Sequence, residues 1–310
     1  MAHPNMGLSS KYDTMPMTLK ANDTKASASV QRVVTVLKSF SPDKLELSVA
    51  DIRRNATISK TTTYRILTTL SAAGLLERNI ETGTYRIGPE LYMLGSLYLR
   101  TTDVLKAAEP VVKTLNDLTG EAVSVSILDK DAVIFVMTRE SKHAFRLHVH
   151  VGSTLPAYAS AMGKALLSEL TETEVQRLFP EEELPRITKG TVATRTELKL
   201  VLEQIRKTGV SFDREGSYEG AEGIAAIIRD ASGKAVAAMA ITIPLLRLNR
   251  PIREGLATLV RLGSNLISHR LGYQDNARPV TDIQDIIDWW EKNYPNFSRL
   301  DNKVISHSIR

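Results

Sequence analysis

The chain has 310 residues, 43% apolar, 24% charged and 5% aromatic, with no cysteine; this excludes a disordered protein, and with it disulfide frameworks, thiolate zinc sites, iron–sulfur clusters and cysteine nucleophiles. The formal charge of +5 lies in the first third: residues 1–102 carry 13 Lys and Arg against 8 Asp and Glu, and the remainder carries 27 of each, which fits a module meeting a polyanion or, more plainly, a solvated surface. The longest apolar run, Ala235–Leu246, is too short to span a bilayer, and residues 1–25 lack the apolar stretch of an export leader, so a cytoplasmic protein without membrane partners is expected.

Length predicts two domains. Residues 1–26 contain Pro4 and Pro16 and no apolar periodicity, and read as a mobile tail. A helix is expected from Ser27 or Ser29, where Val30, Val33, Val34, Leu37 and Phe40 recur at spacings of three and four; Ser41-Pro42-Asp43 stops it. Leu45-Glu46-Leu47 predicts a short strand. Ser48, with Asp51 three residues on, reads as a capping box for a brief helix through Arg54. Ser59 can cap a helix over Lys60–Ala73 whose Tyr64, Leu67 and Leu70 share a face, and Gly74 ends it. Leu75–Arg78 and Thr84–Ile87 read as strands around a Thr82-Gly83 turn. Helix, strand, helix, turn, helix, hairpin is the order of a winged helix-turn-helix, here over residues 27–88, with its turn at Asn55–Ile58. Such a module binds DNA or, in the alternative, docks another protein.

After Gly88-Pro89 a linker helix is expected within residues 89–102, with Leu91, Leu94, Leu97 and Tyr98 available either as a seam between two copies or for packing within one. Over residues 103–272 the pattern predicts helices at 103–119, 159–169, 171–178, 194–208 and about 251–271. Strands are expected at 121–128, 132–139, near 144–151, 210–213, 223–230 and 235–243. Antiparallel pairs with intervening helices predict an α+β, sensor-like domain rather than a doubly wound sheet. Residues 273–310 form an extension in which Thr281 is expected to cap a helix over Asp282–Asn293, stopped by Pro295. Its stripe of Ile283, Ile286, Ile287 and Trp290 must be covered by the preceding domain or by another subunit.

Nucleotide-binding glycine motifs, HExxH and GxSxG are absent from the sequence. His143, His148 and His150 could ligate a metal; exposed or hydrogen-bonded imidazoles on a strand are the plainer reading. The segment Asp213–Gly223 gathers four acids and three glycines, suited to bending around a ligand and equally to a solvated turn. No nucleophile–base pair is visible, so neither catalytic residue, cofactor nor metal is expected.

On the third predicted helix, Ser59 at the cap places Lys60, Thr61 and Thr62 in the first turn, where free N–H groups and the helix dipole favour phosphate. Arg65 lies one turn further, within reach of a guanine edge, and Tyr64 either faces the groove or sits half in the core. Arg32, Arg78 and Arg86 are expected at phosphates, positioning the module without reading sequence.

The order of motifs resembles the isocitrate-lyase-regulator (IclR-type) family of bacterial transcription factors. The resemblance rests on Ser29-Val30-Gln31-Arg32, on Ser59 through Leu67 with Leu70 and Gly74-Leu75-Leu76, and on Tyr85-Arg86-Ile87-Gly88. Beyond them lie the stretch Val151 to Leu167, Gly209-Val210 to Asp213, Glu219-Gly220 and Ile224-Ala225-Ala226. It implies a winged helix-turn-helix joined by a helix to a GAF-like effector domain over residues 103–272, working on double-stranded operator DNA as a dimer or dimer of dimers. Two positions depart from the family pattern: Gly223 stands where a cysteine is frequent, and Ile227 or Ile228 replaces a usual proline. The resemblance says nothing of residues 273–310.

It further implies a ligand between Leu155–Met162 and Asp213–Gly223. There, Ser160 to Gly163 would open a helix with N–H groups suited to a carboxylate. Leu155, Tyr158, Met162, Ala221 and Ile224 would form an apolar wall around Ala161, and Asp213 would accept a hydroxyl. Gly223 would leave extra room. A small hydroxylated or aromatic carboxylic acid fits this set better than a phosphorylated sugar, because no arginine cluster accompanies it. A core segment beside a solvated acidic loop is the alternative; for the function, the alternatives are a DNA-binding protein without any ligand and an enzyme using the acidic loop at 213–223 with a histidine.

Overall fold

Capping side chains mark out the first unit, residues 1–100 of a chain whose computed structural model describes residues 28–41, 44–101, 103–144, 149–274, 280–295 and 297. Helix α1 (Ala28–Leu37) precedes the two-residue strand β1 (Glu46–Leu47). Ser48 Oγ then accepts the Asp51 N–H, and the Asp51 carboxylate accepts the Ser48 N–H, the reciprocal box expected from the sequence, opening α2 (Val49–Ala56). The chain reverses through Thr57 at φ 52°, and Ser59 Oγ accepts the Thr62 N–H to start α3 (Lys60–Ala72). Each such cap is worth about 1 kcal/mol. Gly74, at φ 70°, takes the left-handed step that ends α3, a conformation side chains resist.

Strands β2 (Leu76–Arg78) and β3 (Tyr85–Ile87) form the wing hairpin, and β1 joins β3 on its other side. Val36, Leu47, Ile52, Leu67, Leu70, Leu76 and Tyr85 make the core of this unit. Tyr64 does not share the face of Leu67 and Leu70; it is 45% exposed, and Thr63 is buried in its place. Positions 63, 67 and 70 follow the helical repeat more closely, and the Thr63 hydroxyl is satisfied by the Ser59 carbonyl. Helix α4 (Pro89–Thr101) follows the wing.

The second unit, residues 101–310, begins with α5 (Asp103–Thr119), β4 (Ala122–Asp129), β5 (Ala132–Arg139) and β6 (Thr154–Pro156). It continues through α6 (Ala161–Leu167), α7 (Glu172–Leu178), α8 (Arg195–Thr208), β7 (Ser211–Arg214), β8 (Ala221–Arg229) and β9 (Ala235–Pro244). The last elements are α9 (Arg250–Arg270) and α10 (Ile283–Asn293). Six strands form one antiparallel sheet in the order β6-β5-β4-β9-β8-β7.

Alternation along the strands divides the core. Ile224, Ala226, Ile228, Met239 and Ile241 meet α5, α9 and α10 on one face; Ala225, Ala238, Ala240 and Phe135 meet α6, α7 and α8 on the other. Each buried large aliphatic contributes roughly 1.5–3 kcal/mol, so a one-residue slip that turned these sets to the wrong face would be prohibitive.

Three expectations are corrected. The strand expected near 144–151 is not found at its described residues: Val149 to Gly152 run into a turn, and β6 begins only at Thr154; residues 145–148 lie outside the described set. The helix expected over 159–169 shrinks to α6, because Ala157–Ala159 form a 3-10 turn and Ser160 is extended as the cap. Gly163 fixes that turn: a Cβ there would lie 2.2 Å from the Ala157 carbonyl. Asp282 rather than Thr281 caps α10, its carboxylate accepting the Gln284 N–H at 2.9 Å. As expected for its apolar stripe, α10 buries Ile286 and Trp290 against the α5 and α9 layer; Ile287 is half-buried. No helix among the described residues is long and apolar enough to cross a membrane.

Candidate functional site

In the first unit α3 turns Thr63, Leu67 and Leu70 inward, which leaves Lys60, Thr61, Tyr64 and Arg65 exposed. Ser59 and Thr62 are committed to each other: the Ser59 hydroxyl donates to Thr62 Oγ1 at 2.9 Å while accepting its N–H. Arg32 on α1 and Arg78 on β2 are also exposed. Arg86 stands differently. Its Nε and a terminal nitrogen contact Glu77 at 2.8 and 2.7 Å, and the strand register sets Glu46 opposite it on β1, so a carboxylate stands on either side. Sequence reading missed this because both partners are fixed by sheet register alone.

In the second unit a small, open cleft lies between α6 and the sheet. Gly223, Ala240 and Thr242 form its floor, since the ladder pairs Thr242 with Gly223 and β9 alternates by two. Phe135, Val149 and Leu155 wall one side, and Ser160, Ala161 and Met162 come from the start of α6. Asp213, Ser217, Tyr218 and Ala221 close the other side.

Asp213 is held from two directions. Lys164 of α6 places its Nζ 2.6 Å from one carboxylate oxygen, both side chains being almost fully buried. The other oxygen accepts the Ser217 N–H at 3.0 Å and its hydroxyl at 2.8 Å. An ion pair of zero net charge therefore lies at the cleft edge. Its carboxylate keeps only the remaining lone pairs for a ligand hydroxyl. Beyond it, Thr188 and Thr191 donate to the carbonyls of Glu215 and Gly216, gripping the 214–220 loop from outside.

Seven of the nine expected effector residues line this cleft: Leu155, Ser160, Ala161, Met162, Asp213, Ala221 and Gly223. Tyr158 does not. The 3-10 turn aims it into the core, where its ring meets Phe179 edge-on at 5.5 Å and its hydroxyl donates to the Pro185 carbonyl. Ile224 is excluded by strand alternation, which sends it to the α9 face. The room expected at Gly223 is taken by α6: a Cβ there would lie 3.2 Å from the Ala161 methyl. Ser217 and Tyr218 fall within the expected Asp213–Gly223 segment without having been singled out, and Phe135, Val149, Ala240 and Thr242 went unnoticed in sequence. For Ala240 and Thr242 the period-two pattern of β9 was the available signal; for the others, pairing across distant strands and loops decides.

Of the three histidines weighed as ligands, His148 lies outside the described residues and His150 is exposed. His143 places Nε2 3.6 Å from Glu121, a buried carboxylate that Arg247 holds at 2.7 and 2.8 Å. Among the described residues no group of three His, Asp or Glu side chains is placed to hold a metal.

Two family models match the chain. The IclR helix-turn-helix domain matches residues 29–79, and the bacterial transcriptional regulator IclR C-terminal matches residues 96–269. The chain is 32% identical over 248 residues to the HTH-type transcriptional repressor AllR of Escherichia coli strain K12, spanning 80% of this chain and 92% of that one. It is 27% identical to the HTH-type transcriptional regulator KdgR of the same strain, over 80% and 94%. Among solved structures, an IclR homologue from Microbacterium hydrocarbonoxydans complexed with 4-hydroxybenzoate matches with a TM-score of 0.71 at 27% identity, over 79% of this chain and 99% of that one.

Proposed function

This chain belongs to the IclR family of bacterial transcriptional regulators, and from that premise we propose that it reads an operator through α3 and responds to a small carboxylic acid, preferably aromatic, held in the cleft. Its targets are then genes for the breakdown of that acid. The relatives are transcriptional regulators, and no reaction is proposed.

On the DNA side, Lys60 and Thr61 meet phosphate at the α3 N-terminus, Arg65 reads a base edge, and the exposed Tyr64 lies against the groove. Arg32 and Arg78 add phosphate contacts; Arg86 joins them only by leaving Glu77. Two copies related by a two-fold axis supply two half-sites. Leu94 and Leu97 on α4, 55% and 54% exposed, are the proposed seam, joined by Tyr92 at 78%. Leu91 is half-buried, and the side chain of Tyr98 lies outside the described set.

The effector reading is carried by one observation: a cleft between α6 and the sheet is lined by Leu155, Met162, Ala221 and Ala240, with the clamped Asp213 at its edge. A small hydroxylated or aromatic acid fits such a lining, its hydroxyl donating to Asp213 and its carboxylate meeting N–H groups of the Ser160-Ala161-Met162 turn. The lining residues include no arginine or lysine to pair a phosphate. The homologue complexed with 4-hydroxybenzoate supports the same class.

Thermal melting against a panel of hydroxybenzoates and short hydroxy acids tests the reading. A ligand at a hundred times its Kd adds about 2.7 kcal/mol. If no acid in the panel raises the melting temperature, the effector class is wrong. Ala161→Trp is expected to remove the response to a positive ligand while DNA binding in its absence persists.

A further inference from the structure

The cleft has a back. Strands β7 and β8 show it Asp213 and Gly223, and turn their other face to α9. There a single α9 side chain grips both strands. Arg253 places Nε 2.5 Å from Glu222, and its guanidinium lies 3.8 Å from the centre of the Phe212 ring. Phe212 and Glu222 are the chain neighbours of Asp213 and Gly223, which face each other in the ladder. Glu222 is fully buried, and its other oxygen has the guanidinium of Arg214 at 3.4 Å. A buried carboxylate stays in place through its cation. Arg253 thus fixes β8 one residue from the cleft floor.

The α9 turn that carries Arg253 is held in its own right by the C-terminal segment. The Tyr294 ring fills the hollow over Gly255, where a Cβ would come within 2.2 Å of it, and the phenol donates to the Pro251 carbonyl at 3.0 Å. Gly255 and Pro251 flank Arg253 on either side. Trp290, 2% exposed, stacks on Tyr294 at 4.6 Å and meets Phe297 edge-on at 5.1 Å, so the segment docks through a ring cluster rather than one residue. Trp290, Tyr294 and Phe297 lie past residue 269, where the matched domain ends; the α9 residues they hold lie within it.

We propose that Arg253 is a positioning residue of the cleft and that the docked C-terminal segment sets it, so that docking of the segment and occupancy of the cleft are linked. The regulatory meaning rests on the effector reading above; the coupling between the two faces of the sheet does not. Linkage is reciprocal: a ligand that tightens β7 and β8 tightens the segment, and release of the segment loosens the cleft.

Both tryptophans of the chain, Trp289 and Trp290, lie in the segment, so tryptophan emission reports its docking without a label. In full-length Tyr294→Ala the emission is expected to shift to the red, and amide hydrogen exchange over residues 211–224 to rise several-fold while β4 and β5 keep their rates. Arg253→Gln is expected to give the same local rise with the emission unshifted. Unchanged exchange over 211–224 in either variant overturns the proposal, and so does a uniform rise across the whole sheet. Where Tyr294→Ala leaves the emission unshifted, the chain ended after Gln274 replaces it; if that shortened chain fails to fold, the Arg253→Gln exchange decides. With 4-hydroxybenzoate as probe, wild-type emission is expected to change and Arg253→Gln emission to stay constant. Absence of binding heat for that probe counts against the effector reading alone and leaves the exchange result standing.

Discussion

Lys164 and Asp213 show what a single buried contact commits a site to. Removing one partner of such a pair leaves an uncompensated charge, so Lys164→Met is expected to cost about 3–5 kcal/mol in urea unfolding. Lys164→Met combined with Asp213→Leu should recover much of that loss. An additive double variant would show that the two side chains do not act as a pair. On α3, Arg65→Ala is expected to cost about 1–3 kcal/mol of operator affinity and to relax sequence preference, read by gel-shift titration on matched and mismatched sites. Arg78→Ala should lower the slope of log K against log salt by about 0.9. Arg86→Ala should lower it by less, because Glu77 already neutralises that guanidinium. At this scale the sequence was legible wherever a motif names its own residue, as with Asp213 or Ser160. It misled where backbone alternation decides: Ile224 sits beside Gly223 in the chain and on the opposite face of the sheet.

Helices were the most legible elements, because their ends are written locally: Ser48 with Asp51, Ser59 and Gly74 cap or stop theirs as read. Short strands were not. The three residues of β6 carry no period of their own and are strand only because β5 pairs with them. The apolar stripe of α10 announced a covered helix, and the structure supplies the cover from the same unit. Burial, with Glu254 second, raises the Tyr294 phenol above its ordinary value. The docking stability tied to its neutral form is therefore fully present below the unfolded phenol value, about 10, and declines as pH rises through the higher folded value. A red shift of tryptophan emission above pH of about 10, absent in Tyr294→Phe, is the expected signature. Emission that is flat in alkali would detach the phenol from docking.

For the molecule as a whole, the uneven charge anticipated two units of different business, and the order of motifs anticipated the family. Light scattering is expected to give a dimer or tetramer at micromolar concentration, and Leu94→Glu with Leu97→Glu to shift it toward the monomer. A wild-type monomer would remove the seam from α4.

The strand order carries one more consequence, for synthesis. Ala122 of β4 lies opposite Thr242 of β9, so the central ladder of the sheet joins the first strand of its unit to the last. Everything between must leave the ribosome before that ladder can close, and contacts so distant in sequence form late. Residues 28–88 close their own core from local pairings and can fold long before. Each nascent chain therefore spends an interval with a finished DNA-reading module and an open sheet. During that interval β4 and β5 form a hairpin whose β4 edge awaits β9, and that edge is where a chaperone would be expected to bind.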